Sequence, residues 1–106
     1  MKIFISQHMN GKTNAEIIGE RNRIINNIEK ILKTDNIEYI YSIINTSSFP
    51  HGESIRIFPV WYLSKSIEQL SKADLVVFGL GWEKARGCCI EHAICKEYGI
   101  KTMESI

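Results

Sequence analysis

Apolar residues along this chain alternate between short continuous runs and helical spacings. Lys2 to Ser6, with Ile3, Phe4 and Ile5 inside, predicts a first strand. Thr13-Asn14-Ala15-Glu16 then reads as a capping box, with Thr13 as the cap and Glu16 reaching back to it. From about Glu16 to Lys33, the residues Ile17, Ile18, Ile24, Ile25, Ile28, Ile31 and Leu32 recur at three, four and seven. That stripe predicts a long helix packed on a sheet, with Arg21, Arg23, Glu29 and Lys30 off the apolar face. Ile37 to Ile44 predicts a second strand, and the turn formers of residues 45–54 predict a substantial loop after it. Pro59 suits the first turn of a helix that carries Trp61, Leu63, Ile67 and Leu70 as far as Ser71-Lys72. Ala73 to Leu80 is continuously apolar after Asp74, as expected of a parallel strand covered on both faces. On the last helix Ile90, Ala93, Ile94 and Tyr98 are the expected buried stripe, with Glu91 on its flank and His92 pointing away. Gly99 is expected to stop that helix before a fourth strand at Ile100 to Met103. The order βαβαβαβ predicts one α/β domain over residues 1–106, with a small parallel sheet, right-handed crossovers and helices on both faces.

Charge and composition narrow what such a domain binds. Lys and Arg number 13 against 12 Asp and Glu, which provides no concentrated basic face for duplex nucleic acid. A small-molecule ligand is therefore expected. No apolar run approaches the roughly 20 residues of a membrane span. Lys2-Ile3-Phe4-Ile5 reads as a strand and not as a signal-peptide n-region, so a cytoplasmic protein with no membrane partner is expected. The three cysteines, Cys88, Cys89 and Cys95, all fall in one predicted helix, where they cannot form a disulfide framework. His92 projects from a different helix face than Cys89, so no metal site and no cofactor are expected.

In open parallel sheets ligands bind beyond the carboxyl ends of the strands, which directs attention to two loops. Residues 81–91 join the third strand to the last helix and set Glu91 one turn inside it. Glu91 is open to two readings: a helix glutamate favoured by the macrodipole, or a partly desolvated carboxylate suited to nucleophilic or acid–base work. Trp82 either stacks on a base or covers the sheet edge, and Arg86 either holds a phosphate or carboxylate or is a solvated charge. Residues 6–13, after the first strand, nearly spell a phosphate-binding G-x-x-x-x-G-K-[ST] loop. Ser6 stands where the first glycine is needed, and no later apolar strand ends in a magnesium-binding aspartate, so a nucleotide triphosphatase is not expected. Ser6, Gln7 and the amides of Asn10 and Gly11 remain good hydrogen-bonding groups for a ligand. His8 and His51 sit in polar loops and are assigned no catalytic role.

Three segments, Lys2-Ile3-Phe4-Ile5-Ser6-Gln7-x-Met9-x-Gly11-Lys12-Thr13, Leu70-Ser71-Lys72-Ala73-Asp74 and Gly81-Trp82-Glu83-x-x-Arg86-Gly87-Cys88-x-Ile90-Glu91, occur in an order that resembles a known group. The chain resembles the small bacterial and phage proteins of the DUF4406 type, within the nucleoside 2-deoxyribosyltransferase-like superfamily. The resemblance implies a Rossmann-like, flavodoxin-like three-layer sandwich. It also implies a nucleoside or nucleotide site that includes Ser6, Gln7, Met9, Asn10, Gly11, Gly81, Trp82, Arg86 and Gly87. Glu91 maps onto the family's nucleophile, which attacks the anomeric carbon through an oxocarbenium-like transition state. The transferases carry aspartates where this chain has Ser66 and Ala85, so the resemblance identifies no proton donor for the leaving base; Glu83 and Glu68 are the candidates to replace it. The expected activity is an N-glycosidic-bond hydrolase or transferase on a (deoxy)nucleoside or its monophosphate. The alternative is a non-catalytic nucleotide binder. A homodimer or higher homo-oligomer is expected, with Phe58, Trp61 and Tyr62 offering apolar surface.

Overall fold

The computed structural model describes residues 1–41 and 57–106. The loop expected at residues 45–54, with His51, and the second strand beyond Tyr41 lie outside the described residues. Four strands, β1 (Lys2–Ser6), β2 (Glu38–Tyr41), β3 (Leu75–Phe78) and β4 (Thr102–Met103), alternate with three helices, α1 (Asn14–Leu32), α2 (Phe58–Leu70) and α3 (Arg86–Tyr98). A single 3-10 turn, Trp82–Lys84, joins β3 to α3. The strands form one sheet in the order β2-β1-β3-β4, and every pair is parallel. The fold is a small flavodoxin-like α/β fold.

Strand alternation explains the layers. Ile3 and Ile5 of β1 and Leu75 and Val77 of β3 point to one face, where Ile24 and Ile28 of α1 cover them. Phe4, Val76 and Phe78 point to the other, where they meet Leu70 of α2 and Cys88 and Cys95 of α3. With both faces covered, β3 is apolar and buried at every position, which is why it reads as an unbroken run. Thr13 and Glu16 form the reciprocal capping box at the start of α1, and Gly99 ends α3 in the left-handed conformation at φ 69°. At the amino ends of the strands, the Lys2 amide donates to Asp74 Oδ2 at 2.7 Å and the Asp74 amide donates to the Lys2 carbonyl at 2.7 Å. Asp74 thus fastens the edge of the sheet remote from any ligand.

Two helix faces differ from those expected. On α3 the buried residues are Cys88, Glu91 and Cys95, while Ile90 is 44% and Tyr98 78% exposed. Small thiols let this helix lie close over Phe4 and Phe78, so the side facing the sheet is not the side with the largest hydrophobes. His92 does not point away either: its ring stacks on Trp82 at 4.3 Å and meets Phe78 edge-on at 5.0 Å. On α1, Ile17, Ile24 and Ile28 are buried as expected, but Arg21 is buried with them, and Ile18 and Ile31 face outward. The apolar stripe of α1 is wider than the strip of sheet it covers.

Because the chain leaves β1 for β2 and then returns across β1 to β3, the strand order reverses between β1 and β3. A crevice opens at the carboxyl ends of these two strands, the usual ligand position in such sheets. Gly79 ends β3 there, and a Cβ on it would lie 2.9 Å from Ile24 Cδ1 and 3.6 Å from Gln7 Cβ. A larger residue there would have to displace the Ile24 side chain. Among the described residues, no helix is long and apolar enough to cross a membrane.

Candidate functional site

At this crevice lies a cleft of about 750 Å³, the size of a small-molecule site. Among the described residues its walls come from four places: Gln7, His8, Met9 and Asn10 after β1; Ile17 of α1; Ile57, Pro59, Val60, Tyr62, Leu63 and Ser66 from the start and inner face of α2; and Lys84 to Cys88, Ile90 and Glu91 around the start of α3. Ser66 follows Tyr62 by four residues and Leu63 by three, so it lies beside both on one side of the helix.

Glu91 is the one carboxylate among the described residues of the wall, and it is only 4% exposed. The Ser6 hydroxyl, at the end of β1, donates to Glu91 Oε1 at 3.2 Å. Glu91 Oε2 is buried with no hydrogen-bond partner among the described residues. Burial in this apolar setting raises the carboxyl pKa to about 7, against the smaller opposing effect of the Ser6 hydrogen bond. Cys88 and Cys95 lie on the same buried face of α3, and burial, with a further push from the Glu91 charge, raises both thiols to about 11. They are neutral at physiological pH, whereas the Glu91 carboxyl pKa is brought close to neutrality.

Beside the carboxylate the cleft is electropositive. Ala85, the N-cap of α3, offers no side-chain acceptor, and the first amide to bond within the helix is that of Cys89, to the Ala85 carbonyl at 3.0 Å. The amides of Arg86, Gly87 and Cys88 therefore have no carbonyl of their own helix to meet, and all three residues line the cleft. Lys84 and Arg86 add full positive charges at the same place. On the cleft side Gly87 is open: a Cβ there would meet only Leu63 Cδ1, at 4.0 Å. This arrangement suits an anionic group on the ligand.

The wall after β1 is held from behind. Arg21 Nε donates to Gln7 Oε1 at 2.9 Å, and Gln7 Nε2 donates to the Ile17 carbonyl at 3.1 Å. Lys12, the lysine of the near-P-loop motif, pairs with Glu20 at 2.7 Å and is absent from the lining. Among the described residues, no group of three or more His, Cys, Asp and Glu is placed to hold a metal ion.

Of the residues expected at a site, Glu91, Gln7, Met9, Asn10, Arg86 and Gly87 meet in this one cleft, and Ser6 supports its floor through Glu91. Gly11, Gly81 and Trp82 do not line it. Trp82 instead lies over Phe78 and His92, while His92 Nε2 sits 2.6 Å from Glu104 Oε1, a contact that holds the Glu104 carboxyl below its ordinary range. Trp82 thus anchors the turn that delivers Lys84 and Arg86. Ser66, the position where the resemblance marks an aspartate in the transferases, does line the cleft, whereas Tyr62 and Leu63 are not signalled by the sequence, because only packing brings α2 beside α3. Compared with family models, curated proteins and solved structures, the chain matches none.

Proposed function

We propose that this protein acts on the N-glycosidic bond of a (deoxy)nucleoside 5′-monophosphate, with Glu91 as nucleophile. The observation that carries the reading is the pairing, in one cleft, of a buried carboxylate with the uncapped start of α3 flanked by Lys84 and Arg86. Glu91 follows Arg86 by five residues along the helix, about 7.5 Å of axial rise, the scale of the span from a sugar phosphate to the anomeric carbon. In this reading the phosphate lies against the amides of Arg86, Gly87 and Cys88 and the sugar against Glu91. The ionised carboxylate attacks the anomeric carbon, the bond to the base breaks with its electron pair leaving on the base nitrogen, and that nitrogen takes a proton from water. Water then hydrolyses the glycosyl ester and restores Glu91. Desolvation makes the carboxylate a stronger nucleophile once the ligand has excluded water. Ser66 and Ala85, the positions where the resembled transferases carry aspartates, both line the cleft, which supports the register of the resemblance.

The test is to incubate the protein with a panel of nucleosides and monophosphates and follow free base by chromatography. Base release that disappears in Glu91→Gln is expected. No release at high enzyme concentration, or release unchanged in Glu91→Gln, removes the catalytic reading.

One observation favours a second reading, a nucleotide binder without turnover: among the described residues no carboxylate besides Glu91 lines the cleft, so none of them offers a second carboxylic acid to protonate the leaving base. Calorimetric binding with full recovery of intact nucleotide supports this reading, and Glu91-dependent product formation overturns it.

A further inference from the structure

Arg21 lies on α1, only 7% exposed, and no acidic side chain among the described residues forms an ion pair with it. Its guanidinium rests 4.1 Å from the centre of the Tyr41 ring, Nε donates to Gln7 Oε1 at 2.9 Å, and Nη2 is buried without a partner among the described residues. A buried cation with no counter-charge is unfavourable unless its directional donors are used. Here the donor is used on Gln7, a residue 5% exposed that lines the cleft.

A guanidinium can only donate, so the Gln7 atom facing Arg21 must be the amide oxygen. A carbonyl can only accept, so the Gln7 atom facing Ile17 must be the amide nitrogen, and the observed 3.1 Å contact agrees. Flipping the amide would set donor against donor and acceptor against acceptor at once. The nitrogen is thus bonded to Ile17, a residue of the cleft wall, and the oxygen to Arg21, which is not part of that wall. One N–H serves the Ile17 carbonyl and leaves a second.

We infer that Arg21 is a positioning residue that locks Gln7 with its nitrogen toward the cleft, making this wall a hydrogen-bond donor selective for acceptor oxygens of the ligand. The inference rests on the cleft being the ligand site, and it adds that the ligand group beside β1 carries a carbonyl, ether or phosphate oxygen and not an amino group. Among the described residues, both groups that bond the Gln7 amide, Arg21 Nε and the Ile17 carbonyl, come from α1, and Tyr41 of β2 packs against the Arg21 guanidinium.

The experiment is side-chain amide NMR on the full chain, wild type and Arg21→Lys, with and without dAMP, dGMP, dCMP and dTMP. Without nucleotide, the Gln7 amide proton that faces the Ile17 carbonyl should be protected from exchange and displaced from its free-glutamine shift, and Arg21→Lys should remove both effects. A wild-type proton that exchanges and resonates as in free glutamine, or one unchanged by Arg21→Lys, overturns the inference. With a bound nucleotide, the second proton should shift, and Gln7→Glu, which keeps a partner for Arg21, should stay folded yet bind at least tenfold more weakly. A nucleotide that shifts the Arg86 and Gly87 amides but not Gln7, or that binds Gln7→Glu as tightly as wild type, overturns the donor role and leaves the nucleotide site intact. If none of the four nucleotides moves any cleft resonance, the nucleotide reading fails, while the nucleotide-free spectra still decide whether Arg21 locks Gln7.

Discussion

Replacing Glu91 with glutamine removes a buried charge while keeping the shape and the oxygen that accepts from Ser6. The Glu91 pKa is 4.5 ordinarily and about 7 in the fold. Between these values the unfolded chain has lost its proton and the folded one has kept it, so raising the pH through this window favours unfolding. Stability contributed by the neutral acid is complete below about pH 4.5 and is lost as pH rises to about 7. For one group with these two values, linkage gives a loss of about 2–3 kcal/mol between pH 5 and pH 8. That is a large share of the roughly 5–15 kcal/mol that holds such a domain together. Glu16 and Glu104, whose carboxyls are held below their ordinary range by hydrogen bonds from Thr13 and His92, push the other way. They do so equally in both proteins and cancel in the difference. Cys88 and Cys95, at about 11, stay neutral throughout. Urea unfolding in the absence of nucleotide, followed by far-ultraviolet circular dichroism at pH 5 and pH 8, measures the effect. Glu91→Gln should be close to wild type at pH 5 and about 2–3 kcal/mol more stable at pH 8. Parallel pH dependences, or a glutamine variant less stable than wild type at pH 8, would refute a desolvated Glu91.

Ser6→Ala removes the hydroxyl that favours the ionised carboxylate, so the Glu91 pKa should rise further, by about one pH unit on the scale of a hydrogen bond to a charged group. A carbon-13 NMR titration of the Glu91 carboxyl reads this directly, and an unchanged or lower midpoint counts against the Ser6 contact. Gly79→Ala inserts a Cβ 2.9 Å from Ile24 Cδ1 in the packed core and should destabilise by about 1–3 kcal/mol in denaturant melts, whereas a neutral effect would mean the strand end has room. Thr13→Ala breaks the capping box of α1 and should lower stability by about 1 kcal/mol in the same melts, with the loss absent if the box carries no weight. If base release occurs, Ser66→Asp, which adds a second carboxyl to the cleft wall, should accelerate it about tenfold or more, and chromatography showing no gain would deny that wall a role near the leaving base.

Local patterning was enough for the element order, the start and stop of α1 and α3, and the parallel sheet, because capping boxes, a terminal glycine and an unbroken apolar strand act over a few residues. It was also enough to bring the β1 and β3 loops to one edge, since parallel topology leaves ligands nowhere else to go. Helix faces were another matter. Thiols at Cys88 and Cys95 rank below Ile90 and Tyr98 in hydrophobicity, yet contact with Phe4 and Phe78 is decided by fit, and that rotation carries Glu91 from the flank to the floor. Arg21 reads as a solvated charge because periodicity counts it as polar; its partners, Gln7 just after β1 and Tyr41 of β2, are distant from each other in the chain and meet it only when the chain is folded. Which charges end up buried depends on contacts between residues distant in the chain, and only the tertiary structure determines those.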